Sequence, residues 1–189
     1  MAVDANKIKR ELLEWIKALF AAFVIVFLVR WLAFSNYIVD GRSMEPNFSH
    51  GERVIVNKLI YPFREPRRGE VIVFLAPEGK DYIKRVIGLP GDRVKVIGDT
   101  VYVNGMPLDE PYIREEVERA RASGGSYNIG STEEFVVPDD ALFVLGDNRR
   151  ESLDSRSPYV GFVPLEHVKG RADLVYWPVR AFRLVHHEK

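Results

Sequence analysis

The chain contains no cysteine among its 189 residues. Disulfide scaffolds, thiolate catalysis and cysteine-ligated metal sites are therefore excluded. Histidine is scarce too, because only four occur and none stands in a spacing typical of a metal site. We therefore expect no metal and no other cofactor. Lysine plus arginine number 27 and aspartate plus glutamate number 27, so the formal net charge is zero and no basic excess indicates nucleic acid as a partner.

Long apolar runs are also rare, and residues 16–34 (IKALFAAFVIVFLVRWLAF) form the only strong one. Its uninterrupted part, residues 18–29, is short for a bilayer core of about 30 Å, so a span requires Lys17 and Arg30 to extend toward the two interfaces. A cleaved signal peptide and an interfacial helix fit less well, because no clean cleavage site follows and no polar face is present. The sequence predicts a cytoplasmic tail at residues 1–15, a single transmembrane anchor at 16–34, and the remaining chain on the outer face of the cell membrane.

After residue 35 the pattern is typical of a β protein. Short β-branched runs alternate with Gly, Pro, Asn and Asp turns, which predicts a mainly β fold with antiparallel sheets in a partly open barrel or sandwich. We expect the β core to comprise residues 35–97 and 135–180, a small inserted lobe at 98–134, and a C-terminal tail at 181–189. Residues 115–123 are either helical or simply solvated, and a short helix is predicted at 164–169.

The stretch 40-DGRSMEPNF-48 places Ser43 in a turn-like segment, where it is a nucleophile only if a base removes its proton. The four histidines are better explained as surface or structural residues. A buried lysine is the alternative base, because an apolar setting lowers the pKa of the amine. Lys84, within 81-DYIKRVIGLPGD-92, is the candidate, although the strand pattern alone favours Lys84 or Arg85 pointing to water from an edge strand.

A second polar segment, 146-GDNRRESLDSR-156, follows an apolar strand. It is either a solvated loop with surface ion pairs or a rigid loop in which arginine–carboxylate pairs hold a hydroxyl beside an amine. In this segment Asp147, Arg149, Asp154 and Arg156 surround the hydroxyl residues Ser152 and Ser155.

The four ordered segments 41-GRSMEP-46, 69-GEVIVF-74, 83-IKRVIGLPGD-92 and 146-GDNRRESLDSR-156, the last running on to 161-GFVP-164, resemble those of the type I signal peptidases. These are membrane-anchored proteases that use a serine and a lysine. The resemblance implies Ser43 as nucleophile, Lys84 as general base and Ser152 as a partner of the lysine amine. Further residues that the resemblance implies are Asp154, Arg156, Asp147 and Arg149 as supports of the loop, and Met44, Tyr82 and Ile83 as lining of the substrate pockets. Plain core packing is the alternative for the last three residues.

The same resemblance implies an oxyanion donor in the Ser43 amide. A second donor is a hydroxyl in some members, but Gly41 occupies that position here. The expected activity is removal of signal peptides from exported precursors after an A-x-A sequence, with the precursors and the lipid bilayer as partners. Two alternatives remain open from the sequence: a membrane-tethered β module with an inert serine site, and a self-cleaving repressor-type Ser–Lys peptidase.

Overall fold

The structure is a computed structural model that describes residues 5–187. Two α-helices are present in this range, α1 at Ala5–Ala33 and α2 at Arg114–Ala122. The strands are β1 Phe34–Ile38, β2 Arg53–Asn57, β3 Val71–Leu75, β4 Asp81–Gly88, β5 Arg93–Ile97, β6 Thr100–Val103, β7 Met106–Pro107, β8 Phe135–Val136, β9 Ala141–Leu145, β10 Val163–Pro164, β11 Val168–Trp177 and β12 Arg183–Leu184.

The main sheet is antiparallel and has the strand order β1-β2-β11-β3-β4-β9-β10, with β12 also paired to β11. Its long central strand β11 shows three register shifts, two against β2 and one against β3. Bulges of this kind bend a strand and increase its twist, which curls the sheet. The curl brings β1 opposite the start of β4, and residues of both strands line one groove. The mainly β, antiparallel and partly open architecture predicted from the sequence is thus confirmed.

A smaller four-stranded sheet forms the inserted lobe, with the order β7-β6-β5-β8. The β5–β6 hairpin turns across Gly98 and Asp99, as its Gly-Asp pair predicts. The lobe sheet begins at Arg93 and ends at Val136, so β5 belongs to the lobe rather than to the predicted core segment 35–97. A shared apolar cluster joins the two sheets, since Val94 of the lobe packs with Ile87 and Phe143 of the main sheet.

The N-terminal helix α1 begins ahead of the predicted anchor and leads directly into β1. Helix α1 ends at Ala33, one residue before the predicted end of the anchor, and Phe34 pairs with Asn57 as a strand residue. No helix within residues 5–187 combines the length and the apolar character needed to cross a membrane, so the predicted span at 16–34 is not confirmed. The predicted cytoplasmic tail at 1–15 lies partly outside the described residues.

Of the two alternatives for 115–123, the structure has the helix, whereas the short helix predicted at 164–169 is wrong. The helix in the first segment is α2. Residues 164–169 contain only a single 3-10 turn at Leu165–His167, because Val163–Pro164 pairs with β9 and Val168 already begins β11. Pairing with the sheet therefore overrides the helix-like start at Pro164.

The C-terminal half of β4 is buried on both faces. Val86 packs in a cluster with Ile72, Phe74 and Val144, whereas Ile87 packs beneath the lobe. This enclosure also takes in the charged pair Lys84 and Arg85, whose exposed fractions are 3% and 2%. The expectation that these residues point to water is therefore wrong, because the neighbouring strands and the lobe cover both sides of β4.

Candidate active site

Ser43 lies in the turn that follows β1, and Lys84 lies on β4. The Lys84 Nζ is 2.8 Å from the Ser43 Oγ and 2.9 Å from the carbonyl oxygen of Ile83. The turn reverses at Gly41, whose φ of +89° is a conformation that residues with a Cβ rarely adopt. A serine hydroxyl and a lysine amine from distant parts of the chain are thus held within direct proton-transfer distance.

Burial changes the acid–base behaviour of the Lys84 amine. Desolvation lowers the pKa of Lys84 from 10.5 to about 8, although the carboxylates of Asp154 and Asp147 act in the opposite direction. At pH 7 about one such amine in ten is neutral, compared with roughly one in 2,500 for a free lysine. The amine also lies 5.0 Å from the centre of the Tyr82 ring, which favours the cationic form. Burial outweighs these attractions, and the site therefore supplies a usable base near neutral pH.

The polar segment 146–156 is a rigid loop beside this pair. Arg156 binds both oxygens of Asp154 at 2.8 Å, and Asp154 also accepts the Gly146 amide at 3.0 Å. The loop is tied to the nucleophile turn as well, because the Asn148 amide donates to the Ser43 carbonyl oxygen at 3.0 Å. Ser155 serves the scaffold, since its hydroxyl accepts the Val144 amide at 3.0 Å.

Two further charged residues of the loop, Asp147 and Arg149, find partners outside it. Asp147 is fully buried and forms a bidentate pair with Arg85, at 2.8 and 2.7 Å. Arg149 is also buried and pairs with Glu110, which belongs to the lobe. The loop is therefore not held by its own charges alone, because β4 and the lobe each contribute one partner.

Sequence reasoning missed Arg85 and Glu110 as parts of this site. Arg85 directly follows Lys84 in the same segment. Its position within an apolar strand was a signal by which it could have been recognised as part of the site. Glu110 gave no signal, since it lies in a polar stretch where a surface carboxylate is the ordinary expectation. A third missed residue is Asn47, whose amide nitrogen donates to Asp147 at 2.9 Å.

Ser152 and Gly146 lie in close contact. The Ser152 hydroxyl is buried and has no hydrogen-bond partner among residues 5–187. A Cβ added at Gly146 would overlap both the Ser152 hydroxyl and the Ser43 carbonyl oxygen. Only glycine therefore lets the loop approach the nucleophile turn this closely, and this approach brings the unsatisfied hydroxyl to the site.

The Ser43 amide is available as a hydrogen-bond donor, because it donates to no other residue in the described part of the chain. Gly41 offers no second donor, since its amide already donates to His50 Nδ1 at 3.1 Å. His50 therefore supports the turn through its ring nitrogen and takes no part beside Ser43.

A groove with a cavity volume of about 330 Å³ runs from the Ser43–Lys84 pair between the chain after β1 and the start of β4. Tyr82 and Ile83 line it as expected, together with Tyr37, Val54 and Val73. Met44 does not line it, because its side chain is 1% exposed and packs in the core. Residues 81–84 pair with β3 on one side, whereas pairing with β9 begins only at Arg85. The other edge of 81–84 is therefore free to pair with an extended peptide.

The chain is similar to known proteins over most of its length. The family model described as signal peptidase, peptidase S26, matches residues 12–177. This chain belongs to that family. Signal peptidase I of Bacillus caldolyticus is 44% identical over 166 residues, which cover 86% of this chain and 90% of that protein. Signal peptidase I S of Bacillus subtilis (strain 168) is 39% identical over 175 residues, which cover 93% and 94%.

A crystal structure of a signal peptidase I from Enterococcus faecalis V583 is 37% identical, with a TM-score of 0.49, and covers 57% of this chain and 97% of that one. The match to the peptidase S26 family spans the nucleophile turn, β4, the loop 146–156 and the groove. The family resemblance expected from the four segments is therefore confirmed.

Proposed function

We propose that this chain is a serine endopeptidase that removes signal peptides from exported precursor proteins. Its signal peptidase I relatives support the reaction class, and one observation of the molecule carries the chemistry: a buried lysine amine 2.8 Å from a serine hydroxyl. An inert serine site would not require a cation to be buried there at an energetic cost. The same pair counts against a purely scaffolding β module.

In the acylation step, neutral Lys84 takes the proton of the Ser43 hydroxyl while the oxygen attacks the scissile carbonyl carbon. The carbonyl π bond opens to an oxyanion, toward which the free Ser43 amide donates. The carbon–nitrogen bond then breaks, and the protonated Lys84 returns its proton to the departing amine. The products of this step are an ester on Ser43 and the mature protein with a free N-terminus.

Deacylation uses the same base. Water enters the space that the amine leaves, gives a proton to Lys84 and adds its oxygen to the ester carbon. The ester bond to the Ser43 oxygen then breaks, and this oxygen recovers the proton. The Ser152 hydroxyl is buried and makes no hydrogen bond within residues 5–187, the Lys84 amine included, so it is available to orient that amine when substrate binds. Asp154, Arg156, Asp147 and Arg149 keep the loop in place.

The groove supports binding of an extended substrate. A peptide strand that pairs with the free edge of residues 81–84 directs alternate side chains into the groove. Its apolar floor at Ile83 and Val73 and its limited volume favour small side chains, consistent with cleavage after an A-x-A sequence. Tyr82 contributes the rim, and buried Met44 acts only as packing beneath the groove.

We also propose that the protein works at the outer face of the cell membrane, with α1 as the attachment. Large apolar side chains of α1, including Phe20, Phe23 and Phe27, are exposed. Attachment there would place the groove near precursors whose signal segments lie in the bilayer.

The test is cleavage of a precursor peptide that carries an A-x-A site by the full-length chain in lipid vesicles. Wild type is expected to cut after the second small residue, whereas Ser43→Ala and Lys84→Ala are expected to be folded and inactive. Turnover retained by Lys84→Ala would refute the dyad, and cleavage of no precursor by wild type would refute the function.

A further inference from the structure

Glu110 of the lobe reaches into the loop of the candidate active site. Arg149 is 1% exposed, and Glu110 binds both terminal nitrogens of its guanidinium group, one of them at 3.1 Å. A bidentate arginine–carboxylate pair fixes both position and orientation. In the described part of the chain, Glu110 is the carboxylate that pairs with Arg149.

Arg149 transmits this contact to the loop backbone. Its Nε donates to the Gly146 carbonyl oxygen at 3.1 Å, and its own carbonyl oxygen accepts Arg156 Nη2 at 2.8 Å. Gly146 is the residue that packs directly on Ser152 and on the backbone of Ser43. One side chain therefore fixes the start of the loop at its point of contact with the nucleophile turn.

The segment that bears Glu110 is itself fixed against the site. The Tyr112 hydroxyl donates to Glu110 at 2.5 Å, and the Tyr112 ring lies 3.9 Å from the guanidinium carbon of Arg85. The Tyr112 carbonyl oxygen accepts the Asn47 amide at 2.9 Å. Residues 110–112 thus contact the loop, β4 and the nucleophile turn together.

We propose that Glu110 is a positioning residue of the active site, which holds the loop 146–156 against Ser43 and Lys84 through Arg149. This inference rests on the proposed function. Without the carboxylate, the buried guanidinium has no ion-pair partner among residues 5–187, and the loop must move to let water reach it. A displacement of about 1 Å in reacting groups lowers catalysis by about 100-fold, so a small loop movement is enough to be measured.

The first experiment compares Glu110→Gln with Glu118→Gln in the full-length chain. Glu118 is an exposed carboxylate of the same lobe, so its variant matches the change in charge without touching the loop. We expect Glu110→Gln to lower kcat by about 10- to 100-fold with KM within about threefold, because the groove is left intact. Glu118→Gln is expected to match wild type. Glu110→Asp, which keeps the charge and so protects folding, is expected to lower kcat by less than Glu110→Gln.

The pH profile separates positioning from a general loss of folded protein. Lys84 faces the carboxylates of Asp147 and Asp154 and the Tyr82 ring, and its low pKa depends on exclusion of water. A loosened loop admits water, so the alkaline rise in rate for Glu110→Gln moves to higher pH. A smaller amount of correctly folded enzyme would instead lower the rate by the same factor at every pH, and the midpoint of the pH profile would not move.

A double-mutant cycle tests whether Arg149 carries the effect. Arg149→Met and the double variant Glu110→Gln/Arg149→Met are expected to have the same kcat. Once the Arg149 guanidinium is absent, the Glu110 carboxylate has lost its ion pair with the loop, so replacing it has no further effect. Additive losses would overturn the inference. The inference would also be overturned if Glu110→Asp and Glu110→Gln had the same kcat and the same pH profile as Glu118→Gln.

An activity-independent measurement keeps this inference distinct from the proposed function. The Lys84 amine is titrated by NMR in wild type and in Glu110→Gln, which requires no turnover. If wild type cleaves no precursor, the proposed function fails, yet a higher amine pKa in Glu110→Gln still supports positioning by Glu110. An unchanged amine pKa contradicts it.

Discussion

Replacement of Lys84 by methionine is expected to make the protein more stable at pH 7 while it abolishes cleavage. The folded site lowers the pKa of Lys84 from 10.5 to about 8, which corresponds to a cost of about 3 kcal/mol for keeping the protonated amine in the fold. Methionine has a similar length and no charge to desolvate. Allowing for the lost contact with Ser43, we expect a gain of about 1–3 kcal/mol, or roughly 2–10 °C in Tm for a chain of this size.

The pH dependence of this gain has a definite sign. Below about pH 8 the amine is protonated in both the folded and the unfolded state, so the full cost is present. Between about pH 8 and 10.5 the folded state has lost the proton while the unfolded state still binds it, so wild-type stability rises with pH. The advantage of Lys84→Met should therefore shrink across this interval and vanish near its upper end.

The assay is urea unfolding of the full-length chain at a series of pH values from 6 to about 10.5, with Lys80→Met as control. Lys80 is exposed, so its replacement removes the same charge without removing a buried one. A Lys84→Met variant that is less stable than wild type at pH 7, by an amount independent of pH, would refute the claim that Lys84 is held in the fold at a desolvation cost.

The remaining predictions concern the same site. Cleavage of an A-x-A peptide should rise with pH to a plateau above about pH 8, as the Lys84 amine loses its proton; equal kcat/KM at pH 6 and 9 would contradict this base. Ser152→Ala should lower kcat by about tenfold without abolishing it, and an unchanged kcat would remove Ser152 from the site. Gly146→Ala should lose cleavage and about 1–3 kcal/mol of stability in urea unfolding, because its Cβ would overlap neighbouring atoms; wild-type behaviour would show that the loop can shift freely. Asp147→Asn leaves the buried Arg85 unpaired and should cost about 3–5 kcal/mol in the same assay, with a loss under about 1 kcal/mol contradicting the role of the pair.

The strands were predictable because their β-branched runs and turn residues lie close together in the sequence. β1 was missed, since residues 34–38 continue from an apolar helix and their pairing with β2 depends on a distant partner. The lobe boundary was misplaced for a similar reason, because β5 looks the same whether it pairs with the main sheet or with β6 and β8. The local sequence pattern indicates that a segment forms a strand. Which sheet the strand joins depends on the partners with which it pairs in the folded chain.

The site shows the same division between local and distant information. Ser43, Lys84 and the loop 146–156 were identified by segments that resemble a known family. Their geometry was not accessible from the residues, because the partners of Asp147 and Arg149 lie 62 and 39 positions away, at Arg85 and Glu110. Family resemblance can also mislead: it predicts that Met44 lines the substrate pockets, whereas the Met44 side chain lies in the core.

The arrangement of charges explains how a lysine can act as a base beside two carboxylates. An unpaired Asp147 or Asp154 would raise the pKa of Lys84 and hold its proton. Both carboxylates still act to raise this pKa, but each is bound by an arginine, Arg85 or Arg156, whose positive charge opposes part of that effect. Arginine suits this role because its guanidinium keeps its proton where a lysine would give it up. Desolvation can then lower the Lys84 pKa, and a serine without a histidine still has a base within reach.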